Sequence, residues 1–182
     1  MSQEGVVPHT QQEGQMKITQ ELANKVLTVV DAGLVTGLGS PIPGQMCVEA
    51  AVNYAMGRPH GDNPSCVGPS VREFKIKLND SEWPTNADRT AGMRKLAIAQ
   101  LGSDQIDQQT FREIVFVETV KRILPIAFRA TGSRISSHKD ALESAALACA
   151  TVVDIASARA AACAGREMAL EAYAYAAYAA PA

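Results

Sequence analysis

The chain has 182 residues, enough for a domain with a real core, and its four cysteines are too irregularly spaced for a disulfide framework. A formal net charge of -2 supplies no field for nucleic acid or an anionic membrane. No run reaches about 18 apolar residues without charge, and the N-terminus has no basic-then-apolar leader, so a reduced, cytoplasmic protein that does not span a membrane is expected.

Residues 1–17 are polar and read as a flexible arm, in which His9 stands alone. Thr19 is placed to cap a helix whose Leu22, Val26, Val29 and Val30 share one face. Gly33-Leu34 can extend that face, and the stretch Val35–Ser40, with Gly37 and Gly39, ends the helix. From about Gln45 the spacing of Val48, Ala51, Val52 and Ala55 predicts a short helix, closed by Gly57 as a left-handed cap and by Pro59. Cys47 falls in its first turn, where unpaired N–H groups favour an anion, so a lowered thiol pKa is expected. Glu49, two positions on, is expected to point away from Cys47. Arg58–Pro69 is a polar loop that carries His60, Asp62 and Cys66.

Pro69 suits the first position of a further helix. Val71, Phe74 and Leu78 have helical spacing, while Phe74, Ile76 and Leu78 alternate as in a strand. Helix is preferred because the flanks offer no partner strand. Arg72, Lys75 and Lys77 read as a basic cluster on a solvated face. Trp83 is expected to plug the edge of the core with its N–H on a carbonyl. Thr85 and Asp88 form a capping box for a helix that ends at Gly102, and Asp107 caps the next. That helix carries Phe111, Ile114, Val115, Val117 and Leu124, with Glu118 and Arg122 able to pair and Pro125 set to kink or restart it. Ser137 and Asp140 read as another capping box. An alanine-dominated run to about 179 follows, with Leu142, Ala145, Ala146, Cys149, Val152, Val153, Ala156, Ala160 and Cys163 as one seam and Gly165 as the expected break. Unbroken, it would approach ~60 Å. Beyond Gly165, Met168, Ala172, Tyr175 and Tyr178 form a stripe.

These elements predict an all-α fold, a compact bundle of about six or seven helices with a long Ala-rich C-terminal helix or helix pair. Three segments are expected: the arm 1–17, a helical domain 18–135, and a terminal segment 136–182 that packs on that domain or on a neighbouring chain.

For function, the residues support three readings. The leading one is a non-enzymatic structural or interaction protein, binding itself or another protein through Arg58, His60 and Asp62 of the loop and through Met168, Tyr175 and Tyr178 of the last helix, with no cofactor. The second makes Cys47 a nucleophile, His60 its base and Gln45 an oxyanion donor. Over this one short stretch the arrangement resembles papain-like hydrolases in outline, and their strand-rich second half has no counterpart. The third makes Cys47, His60, Asp62 and Cys66 metal ligands, chemically acceptable donors at a spacing unlike the common zinc knuckles. Cys149 and Cys163 read as packing residues. Arg129, Arg134 and Lys139 are the basic residues a nucleic acid would use, a reading the net charge does not support.

Overall fold

A computed structural model describes residues 17–179, with side chains to 174. The rest of the expected arm, with His9, and the side chains of Tyr175 and Tyr178 lie outside the described residues. The helices are α1 (Gln20–Asp31), α2 (Val48–Ala55), α3 (Pro69–Asp80), α4 (Asn86–Ala99), α5 (Gln108–Glu118), α6 (Leu124–Arg134), α7 (Lys139–Ala150) and α8 (Ile155–Ala179). A π-helical turn, Thr119–Ile123, joins α5 to α6 without interruption. Among the described residues there is no strand, only an isolated antiparallel bridge between Gly39 and Met46. The fold is all-α, as the spacing predicts.

The helix starts follow from local chemistry. Thr19 Oγ1 accepts from Leu22 N at 3.2 Å, Thr85 Oγ1 from Asp88 N at 3.1 Å, and Asp107 Oδ1 from Thr110 N at 2.6 Å. Each satisfies an amide that the helix itself leaves unpaired. Pro69 opens α3, so residues 71–78 are helical. Trp83 Nε1 donates to Leu78 O at 2.9 Å, and its ring lies against Gly92, where a Cβ would overlap the indole. Gly57, with φ 68°, follows α2 in the left-handed region.

The chain divides into two compact units at Ile106/Asp107, while the alanine-rich composition begins some thirty residues later. In the first unit, α2 is the element the others surround. All of Val48–Asn53 is buried, because its alanines let neighbours approach from every side. Gly39 makes the turn that leads into α2. Its φ is 70°, and a Cβ there would overlap the Gln45 carbonyl.

In the second unit Val120, Phe128, Leu142, Ala146, Cys149, Val152, Ala158 and Ala172 form the core. Here three expectations need correction. α8 runs straight through Gly165, which is buried beneath the Phe128 ring, with no room for a Cβ. The break comes earlier, at residues 151–154, where Asp154 Oδ1 accepts from Ser157 N at 2.7 Å and Ser157 Oγ accepts from Val153 N at 3.2 Å. This reciprocal cap restarts the helix and resets its phase, so Val153 is 81% exposed and Cys163 is exposed, while Ala158, Gly165 and Ala172, seven apart, face the core. Ser137 does not cap α7. Its hydroxyl lies 2.9 Å from His138 Nδ1, and α7 has no side-chain cap. Pro125 does restart the helix: it lies in the first turn of α6, behind the widened π turn that accommodates its ring. No helix among the described residues is long and apolar enough to cross a membrane.

Candidate functional site

The polar centre of the first unit lies where the N-terminus of α2 meets α3. Cys47 is the N-cap of α2, in extended conformation (φ -73°, ψ 169°). Its Sγ accepts from Ala50 N at 3.4 Å. Asn79, fully buried near the end of α3, holds the arrangement together. Its Oδ1 accepts from Val48 N at 3.4 Å, and its Nδ2 donates to Val35 O at 2.9 Å and to Asp80 Oδ1 at 2.8 Å. Its own carbonyl accepts from Arg89 Nε at 2.8 Å. One residue thus ties α2, α3, α4 and the 32–47 loop, the first, second and last through its side-chain amide and α4 through its main-chain carbonyl.

Beside this clip, Lys75 Nζ lies 3.5 Å from Glu49 Oε1, with the two side chains 2% and 0% exposed. At that distance the charges attract without making a good hydrogen bond. Neither Glu49 oxygen accepts a hydrogen bond from the protein, and Lys75 Nζ donates none. Burial raises the Glu49 carboxyl to about 7 against the opposing charge of Lys75. Burial likewise lowers Lys75 to about 8 against the charge of Glu49. Burial thus works against the charged form of both side chains, and their mutual attraction works for it.

A cavity of about 20 Å³ adjoins the pair, lined by Cys47, Glu49, Asp62, Asn79 and Asp80 and by the 37–38 turn. It admits a guest the size of one water. Small-molecule sites occupy several hundred Å³. Two open grooves of that size flank α1. One, about 500 Å³, lies beside Lys25, Val29, Tyr54 and Met56. The other, about 580 Å³, is lined by Leu34, Thr90 and Arg94 and is bordered by the two-pronged Arg94–Asp31 ion pair at 2.7 and 3.0 Å. Neither groove brings together an acid, a base and a nucleophile.

The candidate residues fall as follows. Cys47 is 4% exposed, and burial pushes its thiol up, so the lowered pKa expected at a helix start does not arise. Desolvation outweighs the local field. Gln45 is exposed and its Oε1 accepts from Ser40 Oγ at 3.0 Å. His60 Nε2 lies 3.1 Å from Gly39 O. Asp62 is half exposed and faces Arg72 at 3.5 Å. Cys66 is buried, its Sγ 3.7 Å from Met56 Sδ, and burial raises its thiol too. Arg58 is exposed, with its amide on Asn53 O at 2.9 Å. Met168 is half-buried on α8. Among the described residues no three His, Cys, Asp or Glu groups converge to hold a metal ion.

Two sequence expectations are overturned at this site. Glu49 and Cys47 line the same cavity, because an N-cap in extended conformation escapes the 100° per residue rotation of a helix. The supposed basic cluster on α3 disperses into separate pairs: Arg72 with Asp62, Lys75 with Glu49, and Lys77 with Glu73 at 2.8 Å. A signal for Lys75 was present in the sequence. Val71, Lys75 and Asn79 stand four apart, on the stripe that is buried, whereas Phe74 is exposed.

No family model matches the chain, and no curated protein and no solved structure matches it.

Proposed function

We propose that this chain is a non-enzymatic interaction protein that self-associates through the helices of its second unit. The observation that carries this reading is α5, a helix with Phe111, Ile114, Val115, Phe116 and Val117 and no buried residue. The same rod continues outward with Ile123 at 56% and Ile126 at 64% exposure, after Ile114 at 57%. Leu147, Leu170 and Tyr173 add exposed apolar surface on α7 and α8. Large apolar side chains left exposed along one helical rod are what a protein contact would cover. The second unit carries eight Lys or Arg and eight Asp or Glu side chains, so no net charge keeps two copies apart. One helical face presented by two copies meets itself across a two-fold axis. The 58–69 loop uses His60 and Asp62 for internal contacts and enters this reading only through exposed Arg58.

Light scattering on the full chain tests the reading, with Ile114→Glu/Ile126→Glu as the variant. A defined oligomer that becomes a folded monomer in the variant supports it. A monomer at high concentration, or an oligomer that the variant leaves intact, contradicts it.

A further inference from the structure

We infer that the cavity beside Glu49 is a binding site for a single water molecule, which completes the hydrogen bonding of the buried carboxylate. The site belongs to the first unit and is independent of the association reading. Three observations converge on it. Glu49 is fully buried, and neither of its oxygens accepts a hydrogen bond from the protein. The adjoining space of about 20 Å³ fits one water, which needs roughly 10–15 Å³ of such space and two to four polar partners. Those partners are in place: Glu49 and Asp62 supply carboxylate acceptors, and the Cys47 thiol supplies a donor.

The same lining selects water over a cation. Lys75 already stands against Glu49 and Arg72 against Asp62, so each carboxylate has its counter-charge. Asp80 Oδ1 accepts from Gly37 N at 2.8 Å and from Asn79 Nδ2, and Asn79 Oδ1 accepts from Val48 N, so both are engaged in the scaffold. Glu49 accepts no hydrogen bond and Arg72 engages Asp62 through Oδ1, so both carboxylates keep an acceptor for a neutral donor. Asp62 is half exposed, so the water links the buried carboxylate to a side chain that reaches bulk solvent.

A crystal structure near neutral pH, from crystals grown with and without rubidium, tests the site. The expected result is one water-like peak within hydrogen-bonding distance of the Glu49 carboxylate and of at least one other lining group, with no anomalous signal from rubidium. No peak, or a peak that carries the rubidium signal, overturns the inference. A second test uses the double variant Glu49→Met/Lys75→Met, which removes the acceptor and its counter-charge together. Loss of the peak is expected there; its persistence would show that Glu49 does not anchor it.

Discussion

The two units both bury an apolar core, but they differ in the polar side chains they bury with it. Among the described residues every buried polar or charged side chain lies in the first unit: Glu49, Asn53, Ser70, Lys75, Asn79, Arg89, Gln100 and Ser103. The second unit buries a core of apolar side chains, closely approached through Ala158, Gly165 and Ala172, and leaves Ile114, Ile123, Ile126, Leu147 and Val153 outside. A polar interior fixes one arrangement of elements, since each partner must be found. An apolar exterior invites a further surface. The first unit is thus specified from within, and the proposed association would cover the apolar side chains that the second leaves exposed.

The sharpest way to break that contrast is to remove one member of the buried ion pair. Lys75→Met leaves the Glu49 carboxylate without its counter-charge and is expected to destabilise the first unit by about 3–5 kcal/mol in urea unfolding. Glu49→Met/Lys75→Met restores stability to near the parent, because a packed apolar pair avoids the desolvation of both charges. A double variant as unstable as the single one would show that the pair is not a unit.

In the second unit the matching test is Gly165→Val. The added methyl groups collide with the Phe128 ring, and overpacking of this kind costs about 1–3 kcal/mol. Urea unfolding checks it. An unchanged midpoint would mean that the small-residue face of α8 is loosely packed.

Acidity sharpens the comparison from the first unit alone. Glu49 stands at about 7 in the folded chain against an ordinary 4.5, so the folded state takes up a proton that the unfolded state does not as pH falls from 7 to 4.5, and stability rises over that window. Lys75 stands at about 8 against 10.5, so the folded state releases a proton that the unfolded state keeps as pH climbs from 8 to 10.5, and stability rises again. The pair therefore contributes a stability minimum between about 7 and 8. Unfolding midpoints of the parent minus those of the double Met variant, taken across pH, should trace that minimum; a flat difference contradicts it.

The smallest effect belongs to Lys77→Ala. Its partner Glu73 is exposed, as Lys77 is, and such pairs contribute little. Its unfolding curve should overlie that of the parent, two residues from a lysine whose loss is severe.

That contrast also explains what the sequence reveals. Helix starts were legible because Thr19, Thr85 and Asp107 each act on the amide three residues away. Pro69 likewise acts through its own backbone. Lys75 was misread because its partner is 26 positions distant: the spacing with Val71 and Asn79 marks its stripe, but the carboxylate that permits a lysine to be buried there comes from another helix. The thiol of Cys47 was misread for the same reason, since burial is a tertiary property. The restart at Asp154 was missed although Asp154 and Ser157 carry a local cap signal; the alanine content made Gly165 look like the weaker point. The candidate catalytic and metal residues lie close in sequence, yet His60 engages Gly39, Cys66 engages Met56, and Cys47 engages its own helix.

The most direct test of the contrast between the units is amide hydrogen exchange on the full chain at low and at high protein concentration. Protection over residues 108–134 is expected to rise with concentration while α2 and α3 stay unchanged. Exchange that is independent of concentration throughout, or added protection confined to the first unit, would contradict it.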